Sequence, residues 1–357
     1  MPVEHAIAMI GLQADACEEL GSPLYAALLR RVAQDVRDGG PCADAVAGYE
    51  DAPGPDAIAL RLLGGVHALV LTGRAPELAV HYPSVGGSFA PETLDQAWAA
   101  FRTTVAAELP RIREWMTRPP QTNEVGRANL LITGLLHTLA QHPLPVRLFE
   151  LGSSAGLNLL ADRFHYRSTG FAYGPEDSPV LLPDAWRGAP PAWLAGPQPT
   201  VAFTERRGCD LTPIDPVSTE GSLALRAYLW ADQPARTARL DGALRLAAGT
   251  PAPVDPVGAA EFLAGVEPAS GALTVVWHSV MRQYVPAEEW AGVEAELQRL
   301  ASASTADAPF AHIAFEPRRV GDRHRFQLTV RTGADFTVEQ VLAEAMPHGL
   351  PAWAPVV

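Results

Sequence analysis

Apolar positions in the first 120 residues recur at helical spacing and nowhere alternate as a strand would. Leu24, Leu28, Leu29 and Val32 form a stripe behind Ser22-Pro23, an N-cap residue followed by a proline that a first turn tolerates. A Gly/Pro-rich loop from Gly39 to Pro55 leads to a second helix, from Asp56 or so to Leu71, which Gly73 ends. Leu94, Trp98, Phe101, Val105, Leu109 and Ile112 share one period in a third helix between Pro91 and Trp115, with a kink expected at Pro110. Pro119-Pro120 closes this all-helical region, 1–120.

The pattern changes over 121–357. An apolar helix through Leu130, Leu131, Leu135, Leu136 and Leu139, stopped by His142-Pro143, precedes the short apolar strand Val146–Leu151. The segment 165–200, rich in Gly, Pro and Trp, reads as an irregular insertion with one short strand. Further strands are expected at Val201–Arg206, Ala252–Val257, Leu273–Trp277, Ala311–Phe315 and Phe326–Val330. Helices fall between them, from Glu220 to Ala248 with a break near Pro234, and after Pro286 with Trp290, Val293, Leu297 and Leu300 on one face. Thr337 with Gln340 makes a capping box for a last helix ending at Gly349. Strands alternating with helices predict an α/β domain over 121–357, its sheet mostly parallel and covered on both faces.

Charge and cysteine content narrow the function classes. A net charge of −13 offers no broad positive surface to phosphates, which disfavours nucleic acid as a partner. Cys17, Cys42 and Cys209 are widely spaced and form no C-x-x-C, so neither a metal site nor a disulfide framework is expected. The start Met1-Pro2-Val3-Glu4-His5 lacks the basic region of a signal peptide. The longest apolar run, near Leu62 to Leu71, is too short for a bilayer and contains His67. A cytoplasmic protein without membrane association is expected.

The chemistry centres on Val146–Asn158: a strand, Glu150 near its end, a turn of small residues and a helix start. Three readings compete. A G-x-G-x-x-G dinucleotide fingerprint fits poorly, because Ser154 and Leu157 stand at its second and third glycine positions. Gly152-Ser153-Ser154-Ala155-Gly156 is a complete G-x-S-x-G, which would make Ser154 a hydrolase nucleophile with Asp255 and either His312 or His324 as partners. The third reading, the glycine-rich loop of an S-adenosyl-L-methionine (SAM) methyltransferase, uses Glu150-x-Gly152-x-Ser154-x-Gly156 at the first strand of the sheet. A helical preface followed by the motif at the first strand favours this third reading over the elbow.

Four blocks then carry a resemblance: Thr122–Arg127, Glu150–Leu159, Cys209–Ile214 and Val276–Ser279. Together they resemble the bacterial domain-of-unknown-function family 2332, over nearly the whole chain. No settled activity comes with that resemblance. The family's core is similar to class I SAM-dependent methyltransferases, and Ser in the turn belongs to the family's own pattern. The resemblance implies a Rossmann-like, mostly parallel sheet of about seven strands with a helical N-terminal extension.

The expected function is SAM-dependent methyl transfer to a small or medium-sized acceptor. The alternatives are a serine hydrolase using Ser154 and a non-catalytic SAM-fold binding protein. In an open α/β sheet the ligand lies at the carboxyl ends of the strands, near the topological switch. That puts Glu150, Gly152, Ser153, Ser154, Gly156 and Asn158 under the methionine portion of SAM. Asp210, with Glu205 as second choice, would face the ribose hydroxyls, and Asn123, Glu124 and Arg127 would border the pocket. With Ala252–Val257 as the third strand, adenine would lie by Gly258–Ala260, but Ala259 stands in place of an acid and adenine recognition is left open. His278 at the end of the fourth strand is the candidate general base, Glu316 after the fifth a second candidate, with Arg282 and Tyr284 nearby. Tyr82, His165 and Tyr166 would either line an acceptor cleft or, the favoured reading, serve in aromatic packing.

Overall fold

The computed structural model describes residues 2–333 and 336–355. The chain divides into two compact units, Met1–Thr122 with Ser218–Ala238, and Asn123–Val217 with Arg239–Val357. The expected boundary after residue 120 thus falls between Thr122 and Asn123, and the first unit also takes back 218–238, a stretch the sequence reading assigned to the α/β region. The reason is apolar: Trp230 and Ala231 join the core formed by Ile10, Leu28, Leu62, Phe101 and their neighbours.

The first unit is helical, as its periodicity requires. Five of its helices, Pro2–Glu19, Pro23–Arg37, Pro41–Val46, Pro76–Ala79 and Leu109–Met116, carry proline in the first turn, where no intrahelical N–H is lost. Pro110 does more than kink the third expected helix. It splits it into Leu94–Ala107 and Leu109–Met116. Ser22 makes no side-chain cap. Asp232 supplies one from the returning segment, accepting from Leu24 N at 2.9 Å and from the Ser22 hydroxyl. Tyr82 packs in this core against Tyr25 and His67, so it is a packing residue of the helical unit.

The second unit is built on β1 (Val146–Leu151), β2 (His165–Ser168), β3 (Phe171–Tyr173), β4 (Leu181–Leu182), β5 (Phe203–Cys209), β6 (Val254–Asp255), β7 (Leu273–Ser279), β8 (Phe310–Val320), β9 (Arg323–Thr332), β10 (Gln340–Ala345) and β11 (Ala352–Trp353). Eight of them form one sheet in the order β11-β10-β9-β8-β7-β1-β5-β6. All pairings from β6 across to β8 are parallel, and those from β8 to β11 are antiparallel. The sheet is therefore mostly parallel, with eight strands where about seven were expected. The insertion holds a second sheet, β3-β2-β4, in place of the single expected strand.

Two expectations fail locally. The stretch after Thr337 forms β10 and β11 and no helix. Its Leu342, Ala343 and Ala345 are buried against β9, and that burial outweighs the helical propensity of an Ala/Leu/Glu-rich segment. After the β1 turn, Leu157–Arg163 is 3-10 in form, a run of tight turns and not an α-helix.

Alternation along the strands divides the sheet into two faces. Phe149, Leu151, Val276 and Phe310 pack with Phe262, Val293 and Leu297 from the helices Ala259–Ala264 and Ala287–Ser302. The opposite face receives the helix Ala128–Leu139, whose Gly134 comes so close that an added Cβ would lie 2.6 Å from Ile313 Cγ2. Gly134→Ala should therefore cost about 1–3 kcal/mol of stability. In a background already carrying Ile313→Ala the same substitution should cost measurably less, as denaturant midpoints of the four proteins of the cycle would show. Equal costs in both backgrounds would refute the contact.

Candidate functional site

β1 lies between β5 and β7, with Glu150 level with Gly208 on one side and Trp277 on the other. The chain leaves β1 for β5 and β6 in one direction and returns to β7 and β8 in the other, so the strand order reverses beside β1. Among the parallel strands this is the order 3-2-1-4-5 of doubly wound sheets, whose ligand crevice opens at the reversal, outside the carboxyl ends.

The turn after β1 is held entirely by this unit's own groups. Ser153 N donates to Cys209 O at 2.9 Å, Ser154 N to Asp210 Oδ2 at 2.9 Å, and Gly156 N to Ser153 O at 2.8 Å. Asn123 Oδ1 accepts from Ala155 N at 3.2 Å and from Leu157 N at 3.0 Å. These amides were expected to face a ligand. They are bonded within the protein, and Asn123 and Asp210 are what holds them. Asp210 also accepts from Thr212 N at 2.9 Å, so it braces two turns at once. The glycines serve the chain more than an incoming molecule. Gly152 has φ +66° and would put a Cβ 3.0 Å from Met281 Cβ; Gly156 has φ +70° and would meet Val254 Cγ2 at 2.9 Å.

What the turn leaves open is a set of side-chain oxygens. Glu150 Oε2, Ser154 Oγ and Asn158 Oδ1 are buried and have no hydrogen-bond partner among the described residues. Glu150 Oε1 accepts from Trp277 Nε1 at 3.1 Å. Burial pushes the Glu150 carboxyl from its ordinary 4.5 up to about 8; the donors Trp277, Ser153 and Asn158 draw it back and Asp210 adds to the rise.

His278 and Glu316 form a second group, on the other face of the sheet. His278 pairs with Ala314 across β7 and β8, and Glu316 lies two residues further along β8, so both side chains project the same way. His278 Nδ1 meets Glu316 Oε1 at 2.8 Å, and the same oxygen accepts from Met281 N at 3.0 Å and Arg282 N at 3.3 Å. Burial raises the Glu316 carboxyl, but the bonds from His278 and the two amides outweigh it and hold it below the usual range. The amides are aimed by Val280, whose φ of +51° is a strained value for a β-branched residue. His312 stacks on His278 with ring centres 5.1 Å apart, and Trp290 meets the His278 ring edge-on. Burial, then the neighbouring His278, Arg331 and Arg318, keep His312 neutral well below its ordinary pKa. A cavity of about 450 Å³ opens over this group, lined by His278, Arg282, Trp290, His312, Glu316 and Arg318 among others. Among the described residues no three His, Cys, Asp or Glu side chains are placed to share a metal ion.

The expected site residues thus separate. Glu150, Gly152, Ser153, Ser154, Gly156, Asn158, Asn123 and Asp210 gather at the β1 turn, whereas His278 and Glu316 share the cavity beside β8. Arg127 Nε donates to Pro347 O at 3.1 Å. Glu205 is not at a strand end, because β5 continues to Cys209, and it pairs with Arg147 at 2.7 Å. Gly258 caps the helix Ala259–Ala264, whose Ala259 and Phe262 are buried. His165 and Tyr166 lie in β2, where Tyr166 is buried and bonded to Ala161 O at 2.7 Å.

Ser154 has φ +53°, the strained backbone of a nucleophile elbow, yet its hydroxyl is buried. Its expected partners are elsewhere: the Asp255 carboxylate is bonded to Arg207 at 2.6 Å, and His324 is exposed on β9. His312 is level with Val276 and so with Phe149, two strands across and five residues back from Ser154. Two strand spacings alone come to about 10 Å. The residues the sequence reading missed around His278 are Trp290, Arg318 and Arg331. Alternation within Phe310–Val320 carries the signal for Arg318, once the β7–β8 register is known.

An α/β protein whose mostly parallel sheet reverses its strand order beside β1 is what the fold defines. The chain belongs to the family described as an uncharacterized protein conserved in bacteria (DUF2332), whose model matches residues 8–353. No curated protein and no solved structure matches it. No helix among the described residues is long and apolar enough to cross a membrane.

The Glu150 carboxyl gives a pH test. Between pH 4.5 and about 8 the folded protein retains a proton that the unfolded chain releases, so this residue costs stability increasingly as pH rises through that window. Glu150→Gln keeps an acceptor for Trp277 and cannot ionise. Its thermal midpoint should exceed the parent's at pH 8, by an amount worth a few kcal/mol, and the gap should close towards pH 4.5. A gap that does not change with pH would show that Glu150 is not held neutral.

Proposed function

We propose that the protein is a SAM-dependent methyltransferase for a small acceptor, with the cofactor's amino-acid end at the β1 turn. The observation that carries this reading is the set of orphaned buried oxygens, Glu150 Oε2, Ser154 Oγ and Asn158 Oδ1, at a strand reversal of order 3-2-1-4-5. SAM bears an α-ammonium with three N–H donors and a ribose with two hydroxyls. The three oxygens are acceptors that fit such donors, and the ammonium would draw the proton from Glu150. The amides of the turn, already bonded within the protein, would set its shape and leave recognition to side chains. When bound, SAM supplies an electrophilic methyl group. The chain's own part is to orient the acceptor and take its proton: His278 Nε2 is the base, and Glu316 positions the ring through Nδ1.

Calorimetry with SAM and S-adenosylhomocysteine tests the reading. Both should bind saturably, and SAM binding at pH 7 should release a proton, seen as a heat that varies with the ionisation enthalpy of the buffer. Asn158→Leu should weaken SAM by roughly 10- to 100-fold, the worth of one hydrogen bond to a charged group. Gly152→Asp should abolish binding, with an unfolding curve run beside it to confirm a folded variant. No saturable heat with either ligand would overturn the proposal, and unaltered affinity in a folded Gly152→Asp protein would move the site elsewhere.

A further inference from the structure

We infer that the cavity over His278 binds a hydroxyl compound, whose O–H donates to His278 Nε2 while its oxygen accepts from His312 Nε2–H. Four buried polar atoms without a partner among the described residues belong to residues lining this one cavity: His278 Nε2, His312 Nε2, Glu316 Oε2 and Arg318 Nε. The sense of each imidazole is fixed from its far side. Glu316 Oε1 accepts two backbone N–H groups, so it acts as an acceptor and His278 Nδ1 carries the hydrogen towards it. With its hydrogen on Nδ1, the imidazole form of His278 presents a lone pair at Nε2. Arg331 has only donors; its Nε and Nη2 reach His312 Nδ1 at 3.2 and 3.0 Å, which places the His312 hydrogen on Nε2.

Two imidazoles with ring centres 5.1 Å apart thus line one cavity, His278 with an acceptor at Nε2 and His312 with a donor. A hydroxyl is donor and acceptor at once and satisfies both rings. An ether, carbonyl or carboxylate oxygen only accepts and leaves His278 unpaired, and an ammonium only donates and leaves His312 unpaired. Arg318 Nε–H gives a second oxygen on the same molecule its own donor, while Trp290 and Pro317 provide apolar wall. A small hydroxy acid meets His278, His312 and Arg318 within about 450 Å³. Naming that hydroxyl as the methyl acceptor rests on the proposed function; its binding does not, and is measured here without SAM.

The test compares hydroxy acids with their methyl ethers on the full-length protein: 4-hydroxybenzoate against 4-methoxybenzoate, and lactate against 2-methoxypropionate. At least one hydroxy acid should bind 10-fold or more tightly than its ether by calorimetry. Its hydroxyl should also shift the Nε2 nitrogen resonances of His278 and His312, where the ether does not. His312→Phe and His278→Phe should each reduce the preference to less than twofold. Equal affinities for acid and ether, no binding of either hydroxy acid at millimolar concentration, or a preference that survives both substitutions would overturn the inference. The nitrogen shifts of the parent protein decide the matter if a histidine variant fails to fold. SAM calorimetry, run separately, tells a failure of this site from a failure of the methyltransferase reading.

Discussion

The parallel registration of β1 between β5 and β7 is the constraint on which the rest of the second unit depends. It sets Glu150 level with Trp277, which donates to it, and with Gly208, which has no side chain to displace Ser153. It also sets the reversal of strand order beside β1. Slipping one strand by a residue would exchange the faces of every side chain on it. Glu150 would then enter the apolar layer of Phe262, Val293 and Leu297, so burial itself enforces the alignment that creates the candidate site.

Two polar assemblies emerge from that alignment, and they are organised on one principle. In each, a buried side chain is held by internal bonds on one side and left with unsatisfied capacity on the other. Asn123 and Asp210 brace the β1 turn while Glu150, Ser154 and Asn158 keep open oxygens. Glu316 and Arg331 brace two imidazoles while their Nε2 atoms stay open. Strained backbone accompanies both: Asn123, Ser154 and Val280 all have positive φ, and each lies where an amide or a side chain must be aimed.

Much of this was legible in the sequence, for physical reasons that differ from element to element. Glu150, His278 and Glu316 stand out because each follows or interrupts an apolar strand, where a polar residue must be compensated. The alternation of strands and helices likewise announces a mostly parallel sheet. The pairing of His278 with Glu316 was not legible, since it depends on the β7–β8 register, a non-local quantity. The C-terminal strands were misread because Gln340–Ala345 has helical composition and only its burial against β9 makes it a strand. Glu205 was considered because the end of β5 cannot be located from polarity alone in Phe203–Cys209, a strand carrying three charges.

The return of Ser218–Ala238 to the first unit bears on how such a chain can be taken apart or recombined. No single cut yields both units whole. A fragment beginning at Asn123 would carry Trp230 and Ala231 without the helices whose core they complete, and would present that apolar surface to solvent. Grafting the α/β unit between relatives therefore requires three crossover points to be moved together.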